Sequence, residues 1–439
     1  MGFGVVVLPE FFDLFVRELL DKSERISREY YARYSSAVEL IRDAFRDFWV
    51  TYALRSTGLP NIPILAVDSS MYYVLMGNGG FFYVVRALAL GHPDVEYRKL
   101  VTDFDYTSDP NYRAHTIIQR KMEWLEHLVA LEAVESGFRG VILIDGSLYG
   151  RIVHIPLETG FIHDRDFMLR YFEDLYRFLQ VCERNNVLVI GISKESRTSY
   201  LRTYLVRRII MEKAGELGLD MSDVMDIFRL ARENKKKVFK EIKNRGLEGS
   251  IIEELFREYI SRRPDFQMII NFANTTGYTK PLILGMPSRW ERYHRIMRKN
   301  PKGFLRSYFP ISSRREGFMD WGLKVIRKIM ELPAIISFHI LLNRADTPMR
   351  IDLPAWALGI NKKAREAIWA EEAKVNLSRI LDIISAGYCG LENYNIWLKA
   401  VDERVKIHRD IFDNLYLPKF EEVIGRLATA RGYRRVRFP

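Results

Sequence analysis

An α/β protein is predicted, with a mixed sheet flanked by helices, and three features of the sequence carry that prediction. Short apolar runs begin at Ile62, and two of them, Val141 to Ile144 and Val187 to Ile192, are continuous, as strands covered on both faces are. Gly77-Asn78-Gly79-Gly80 lies between two such runs and signals a hairpin. The later runs alternate with longer stretches of helical periodicity, the mark of sheet and helix layers packed together.

Each element follows in order. Phe12, Phe15, Val16 and Leu19 recur at helical spacing, so residues 10 to 56 read as one or two amphipathic helices. Ile62 to Val67 reads as a buried strand ending at Asp68, Met71 to Met76 as a second, and Phe81 to Leu90 as a third whose edge extends through Val95 to Phe104. Asn111 to Ser136 is helical and closed by Gly137; Val141 to Ile144 then delivers Asp145. Asp164 to Glu183 is a further helix and Val187 to Ile192 a further strand. The order β-β-β-α-β-α-β is the ribonuclease H-like topology, whose acidic site gathers at strand ends.

The chain therefore divides into N-terminal helices (1–60), a core (61–200), a basic helical insertion (201–265) and a C-terminal part (266–439) that completes the core. In that last part Phe266 to Phe272, Tyr278 to Leu284, Ile335 to Leu342 and Met349 to Leu353 read as strands, and Glu371 to Ile384 and Tyr394 to Tyr416 as helices. No internal repeat or clean linker interrupts it, which favours one elaborated core over separate modules.

With 439 residues, 67 Lys and Arg against 56 Asp and Glu, and a net charge of +11, the surface field attracts polyanions, and nucleic acid is the leading partner class. No apolar run approaches the roughly 18 to 20 residues of a membrane span, and no secretory leader is recognisable. Cys182 and Cys389 are the only cysteines, too few for a disulfide framework or a cysteine zinc site. These features predict a cytoplasmic protein of a reducing compartment. No G-x-x-x-x-G-K-[ST] loop, H-E-x-x-H or G-x-S-x-G occurs, which argues against an ATP-driven motor, a zinc protease and an α/β-hydrolase.

Two acids end buried strands alike, in Ala66-Val67-Asp68-Ser69-Ser70 and in Leu143-Ile144-Asp145-Gly146-Ser147-Leu148. Asp and Ser also start turns and cap helices. Their pairing on the first and fourth strands of this topology instead favours a carboxylate site for a hard divalent cation. The intervening helix offers Glu123, Glu126, Glu132 and Glu135 as a third acid. Glu123 neighbours Gln119, Arg120 and His127, as on a solvated face, whereas Glu126 neighbours Met122, Val129 and Ala130 and points to the sheet. Glu126 is therefore preferred, with Glu123 as the fallback. Three converging carboxylates imply two-metal phosphodiester hydrolysis with Mn²⁺ or Mg²⁺.

Lys194 and Glu195 follow the fifth strand, where a lysine either neutralises phosphate charge or simply begins a helix. Tyr200 and Tyr204, one turn apart and beside Arg207 and Arg208, either stack on bases along a phosphate track or pack in the core. His408 lies in an apolar stripe of Val401, Val405, Phe412 and Leu415, as a core histidine or as a metal ligand and general base. The run Lys235-Lys236-Lys237 reads as a solvated face.

Together AVDSS with Asp68, Glu126 in the helix, LIDGSL with Asp145, and GISKES after the fifth strand resemble the NurA nuclease family, most clearly over residues 60 to 200. FHILLNR, MRIDLP and GYCGLENY look like the family's ending; D-S-S and GYC stand where D-G-S and GYP are usual. The resemblance implies a Mn²⁺-dependent deoxyribonuclease that acts on single strands and resects duplex ends from the five-prime side. It also implies a homodimer working with the hexameric ATPase HerA, a DNA translocase, in double-strand-break repair. On that resemblance Asp68, Glu126 and Asp145 are metal ligands, completed by a C-terminal histidine, for which His408 is the candidate.

Overall fold

A computed structural model describes residues 11–30, 35–54, 58, 61–91, 95–107, 114–194, 196–261, 263–425 and 429. The chain groups into two compact units. Residues 1–47 and 205–262 form one, so the segments expected as N-terminal helices and as an insertion cluster together. It contains α1 (Phe12–Tyr30), α2 (Ser36–Phe48, up to its last residue), the greater part of α6 (Tyr200–Glu216), α7 (Met221–Glu233), α8 (Lys235–Asn244) and α9 (Ile251–Ser261). Val224, Phe228, Val238, Leu255 and Phe256 make its buried interior.

Residues 48–204 and 263–439 form the other unit, built on an eleven-stranded mixed sheet. Its strands are β1 (Trp49–Thr51), β2 (Ile64–Leu75), β3 (Phe81–Gly91), β4 (Val95–Asp105), β5 (Val141–Asp145), β6 (Leu188–Ser193), β7 (Gly277–Thr279), β8 (Leu282–Ile283), β9 (Ile335–Leu341), β10 (Met349–Pro354) and β11 (Glu371–Glu372). The main order is β1-β7-β9-β10-β6-β5-β2-β3-β4; β2, β5 and β6 run parallel and the other pairings are antiparallel. Helices α3 (Ala114–Glu135), α4 (Leu148–Ile152) and α5 (Phe167–Arg184) connect the central strands. Beyond them lie α10 (Asp265–Phe272), α11 (Ser288–Lys299), α12 (Pro301–Tyr308), α13 (Phe318–Met330), α14 (Ser378–Gly387), α15 (Ile396–Val405), α16 (Arg409–Ile411) and α17 (Leu417–Ile424).

Several expectations need correction. The two runs on either side of Asp68-Ser69-Ser70 are one strand, because the antiparallel ladder with β3 continues unbroken from Leu65↔Gly91 to Leu75↔Phe81. The stretch from Val95 is a full strand, β4, paired antiparallel with β3, rather than an extended edge. Phe266 to Phe272 is helical: Met268, Ile269 and Phe272 are buried at helical spacing, while Ile270 between them is exposed. Glu371–Glu372 is strand, and the helix after it begins only at Ser378, whose N–H donates to Asn376 Oδ1 at 2.8 Å. The stretch Tyr394 to Tyr416 is not one helix either. Arg86 donates to the carbonyls of Val405 (2.6 Å) and Lys406 (2.8 Å), and Ile407 N–H donates to Ser70 Oγ (2.9 Å), so side chains from the sheet terminate α15. His408 falls on that break and is exposed, off the apolar stripe proposed for it.

Gly191 in β6 shows how closely the site is built. A Cβ there would lie 2.8 Å from the Gly146 carbonyl oxygen and 2.9 Å from Leu148 Cγ, in the turn that follows Asp145. Gly191→Ala is therefore expected to destabilise the protein by about 1–3 kcal/mol in urea denaturation and to displace the Asp145 turn.

Candidate active site

The parallel pairing of β2 with β5 ends at Val67↔Ile144, which sets the next residues, Asp68 and Asp145, side by side where β5 stops. β2 runs on past that point with β3 as its remaining partner, so the two carboxylates sit at a fork in the sheet. Glu126 reaches the same place from α3. One of its oxygens accepts Ser69 Oγ–H from β2, and the other accepts an Arg151 N–H from α4. The structure thus sets Asp68 and Asp145 at adjacent strand ends, with Glu126 beside them through Ser69 and Arg151.

Their environments differ. Asp68 is 8% exposed. Among the described residues its Oδ1 accepts only its neighbour Ser69 N–H, at 2.7 Å. Burial first, then the nearby charges of Glu126, Asp145 and Asp402, push its carboxyl up to about 8. Glu126 is also raised by burial, against the opposing pull of Arg151 and Ser69. Asp145 is the balanced member: its Oδ2 faces Lys194 Nζ at 3.0 Å and accepts Tyr394 O–H at 3.1 Å, while Lys194 Nζ lies 4.1 Å from the Tyr394 ring centre.

Arg151, fully enclosed, ties this site together. Besides Glu126 it donates to the Asp145 carbonyl (3.2 Å), the Glu123 carbonyl (3.3 Å) and His127 Nε2 (3.1 Å). That last bond puts the His127 proton on Nδ1, and burial followed by the Arg151 charge holds the imidazole neutral. Glu123 does not lie on a solvated face. α5 covers it, and its carboxylate meets Arg120 (2.9 Å), His154 Nε2 (2.8 Å) and the Tyr171 hydroxyl (2.7 Å). Burial opposes its ionisation, but His154, Arg120 and Arg151 outweigh it and keep its pKa low.

The turn after Asp145 is held from below. Ser147 caps α4, accepting Gly150 N–H at 2.8 Å, and its hydroxyl donates to Asp352 on β10 at 2.7 Å. Asp352 is itself paired with buried Arg350 at 2.9 Å.

The remaining sequence candidates lie elsewhere or are engaged. Tyr200 packs edge-on against Tyr149 (4.8 Å between centres), and Tyr204 packs on Phe48 (5.4 Å). Arg208 pairs with Glu212 at 3.2 Å, and Arg207 is half-buried. Among the described residues the His408 imidazole forms no hydrogen bond or ion pair, and Glu195 lies outside the described residues. Sequence reasoning missed Arg151, Tyr394 and Asp402; an arginine that will be buried carries no mark among the many that are not.

The donor set is all oxygen, as a hard cation requires. Among the described residues, however, no group of three Asp, Glu, His or Cys side chains is gathered closely enough to hold a metal ion, and Glu126 is engaged by Arg151 and Ser69. Asp68, buried beside like charges and without a cation of its own, is the group that fits one.

A family model, the NurA domain, matches residues 63–407. The chain belongs to the NurA family. Its fold is similar to that of the NurA nuclease from Sulfolobus solfataricus, at 16% identity and TM-score 0.50, over 95% of this chain and 97% of that one. A NurA structure bound to dAMP and manganese is matched over 92% of this chain and 95% of that one, at 16% identity and TM-score 0.37. One with manganese is matched over 92% and 96%, at 15% identity and TM-score 0.39. No curated protein matches the chain. Within this family the mixed α/β architecture is the shared frame. None of the described helices is long and apolar enough to cross a membrane.

Proposed function

We propose that this member of the NurA family is a metal-dependent deoxyribonuclease on a ribonuclease H-like core. The observation that carries the reading is Asp68: a buried carboxylate, set beside Asp145 at adjacent strand ends and within the field of Glu126. Asp68 and Asp145 are the residues that would hold Mn²⁺ or Mg²⁺, with Glu126 beside them. When bound, such ions activate water and stabilise the leaving oxygen of a phosphodiester. The protein's own groups do the rest. Lys194, 44% exposed and held by Asp145, presents a positive charge toward solvent that can offset charge building on phosphate. Tyr394 fixes the outer oxygen of Asp145, and Arg151 keeps Glu126 in place from behind.

The finer parts of this reading are two ions, single-strand endonuclease and five-prime to three-prime exonuclease activity, a homodimer, a HerA-type hexameric ATPase as partner and a place in double-strand-break repair. They follow from family membership and the acidic set. Cleavage of single-stranded and duplex-end DNA in Mn²⁺ and its loss in EDTA test the core proposal; Mn²⁺ stoichiometry by calorimetry tests the ion count. The second reading, a catalytically inactive nucleic-acid-binding scaffold, is favoured by the engagement of Glu126 with Arg151, and absence of cleavage in Mn²⁺, Mg²⁺ and Co²⁺ would select it. Parallel digests of RNA and branched DNA separate off a ribonuclease H-like enzyme of different substrate.

Lys194→Gln is expected to lower kcat by about 100-fold with little change in KM. Its stability should stay within about 1 kcal/mol of the parent, because the ion pair it breaks is partly solvated. Steady-state kinetics on a fluorescent oligonucleotide and urea denaturation check both.

A further inference from the structure

The net charge of +11 is not spread over the chain. Between Ser288 and Met330 stand twelve Lys and Arg against three Asp and Glu, a net of +9. The unit segment 205–262, with its conspicuous lysine run, holds thirteen against eleven, a net of only +2. A large share of the positive charge on the described residues therefore lies in α11–α13.

Local structure turns these charges outward. On α11 the buried residues Trp290, His294 and Met297 recur at i, i+4 and i+7, which leaves Arg289, Arg292, Arg295, Arg298 and Lys299 exposed. α12 buries Phe304 and Leu305 and exposes Lys302 and Arg306; α13 buries Val325, Ile326 and Ile329 and exposes Lys324 and Arg327. Arg295 pairs with Glu291 at 3.1 Å. Among the described residues Arg292, Arg298, Lys299, Lys302 and Arg306 form no ion pair. By contrast, several cations beside β3 and β4 are committed: Arg86 caps α15, Arg404 pairs with Glu96 and Lys99 pairs with Glu132. Like charges one turn apart repel and destabilise the folded chain unless a polyanion lies across them.

The segment is also fixed to the polypeptide that carries Asp145 and Arg151. Tyr149 on α4 donates to the Gly285 carbonyl at 2.6 Å, just before α11. Glu158, in the loop after α4, accepts Ser312 N–H (2.7 Å) and Ser312 O–H (2.6 Å), and its own N–H donates to the Tyr308 carbonyl (3.0 Å).

We infer that the exposed faces of α11–α13 form the surface that holds the nucleic-acid backbone for the site at Asp68 and Asp145; the inference rests on the nuclease reading above. The row from Arg289 to Lys299 is about 15 Å long at 1.5 Å per residue. Duplex DNA presents a phosphate charge about every 1.7 Å of its axis, so one helix faces several phosphates. A lipid surface fits less well, because membrane-binding helices expose apolar residues between their cations, and Ile311 is the only large hydrophobic exposed here among the described residues.

The test is fluorescence anisotropy of the full chain with a duplex oligonucleotide in EDTA, where no cleavage occurs. Arg292→Gln/Arg298→Gln/Lys299→Gln/Lys302→Gln is compared with a control of equal charge loss, Lys236→Gln/Lys237→Gln/Lys240→Gln/Lys243→Gln. The first variant should bind about 30-fold or more weakly at about 0.1 M salt, with the slope of log affinity against log salt shallower by about 3; the control should stay within about threefold. Equal losses in both variants, unchanged binding in the first, or a loss seen only with phosphatidylserine vesicles overturns the proposal. Should the first variant melt well below the parent, Arg306→Gln/Lys324→Gln/Arg327→Gln replaces it with the same expectations. Binding in EDTA is independent of catalysis, so these failures leave the nuclease reading standing, and absence of Mn²⁺-dependent cleavage by the unaltered chain removes that reading alone.

Discussion

Asp68→Asn is expected to reduce Mn²⁺-dependent DNA cleavage by about 1000-fold or more while leaving DNA binding at least as tight as in the unaltered chain. The amide keeps the size of the side chain and its bond to Ser69 N–H, so the strand is undisturbed. Above about pH 8, where the Asp68 carboxyl is ionised, it also removes one negative charge from a place shared with Glu126, Asp145 and Asp402, which lessens repulsion of a phosphate backbone. The same change should stabilise the metal-free protein, with a definite pH dependence. The folded-state pKa of about 8 lies above the ordinary 3.8, so the native state holds this proton more tightly than the unfolded chain. Below about pH 4 both states are protonated and the group is neutral to stability. As pH rises from 4 to 8 the metal-free native state loses stability, by at most about 6 kcal/mol, and above 8 the loss is complete. Asn carries no such penalty. Urea denaturation in EDTA should therefore show the variant equal to the parent near pH 4 and more stable at pH 8. Mn²⁺ should raise the melting temperature of the parent and not that of the variant. Parent-like cleavage by Asp68→Asn would remove Asp68 from the active centre.

What the sequence made legible and what it hid divide along physical lines. Val141 to Ile144 and Val187 to Ile192 were readable as central strands because burial on both faces demands continuous apolar residues, and an Asp at the end of such a run has a fixed backbone beneath it. Glu126 was separable from the other acids of α3 because helical spacing assigns it apolar neighbours. Glu123 was misread since its partners, Tyr171 and His154, come from α5 and from the segment after α4, far along the chain. The break at His408 is made by Arg86 and Ser70 from the sheet, more than 300 residues away, and no local signal announces it. Phe266 to Phe272 failed for a different reason: a short apolar run fits both periods, and Pro264 ahead of Asp265, a helix-start signal, was the available arbiter. The charge of α11–α13 was in plain view, but it becomes a surface only once Trp290, His294 and Met297 are known to face inward.

Arg151→Met is expected to destabilise the protein by about 3–5 kcal/mol at neutral pH, among the largest losses available to a single substitution here. The guanidinium has 3% of its side chain exposed, as against 5% for Glu126, so water replaces neither partner. Removing it leaves the Glu126 carboxylate buried with the Ser69 hydroxyl, and at the same time takes a donor away from the Asp145 carbonyl and from His127 Nε2. Burial already raises the Glu126 pKa against the pull of Arg151, and without that pull the pKa rises further. A carboxyl with a raised folded-state pKa costs stability as pH increases, so the deficit of Arg151→Met should shrink in acid and grow toward alkaline pH. Two further variants distinguish charge from packing. Arg151→Met/Glu126→Gln removes both charges and should recover most of the loss, since an apolar and a neutral group in place of a buried pair is often nearly neutral to stability. Arg151→Lys keeps the charge but cannot span Glu126 and the Asp145 carbonyl together, and should fall between the two. Urea denaturation between pH 5 and 8 measures all three; a loss under about 1 kcal/mol for Arg151→Met would mean that the pair is reached by water and that Glu126 is held in place by α3 alone.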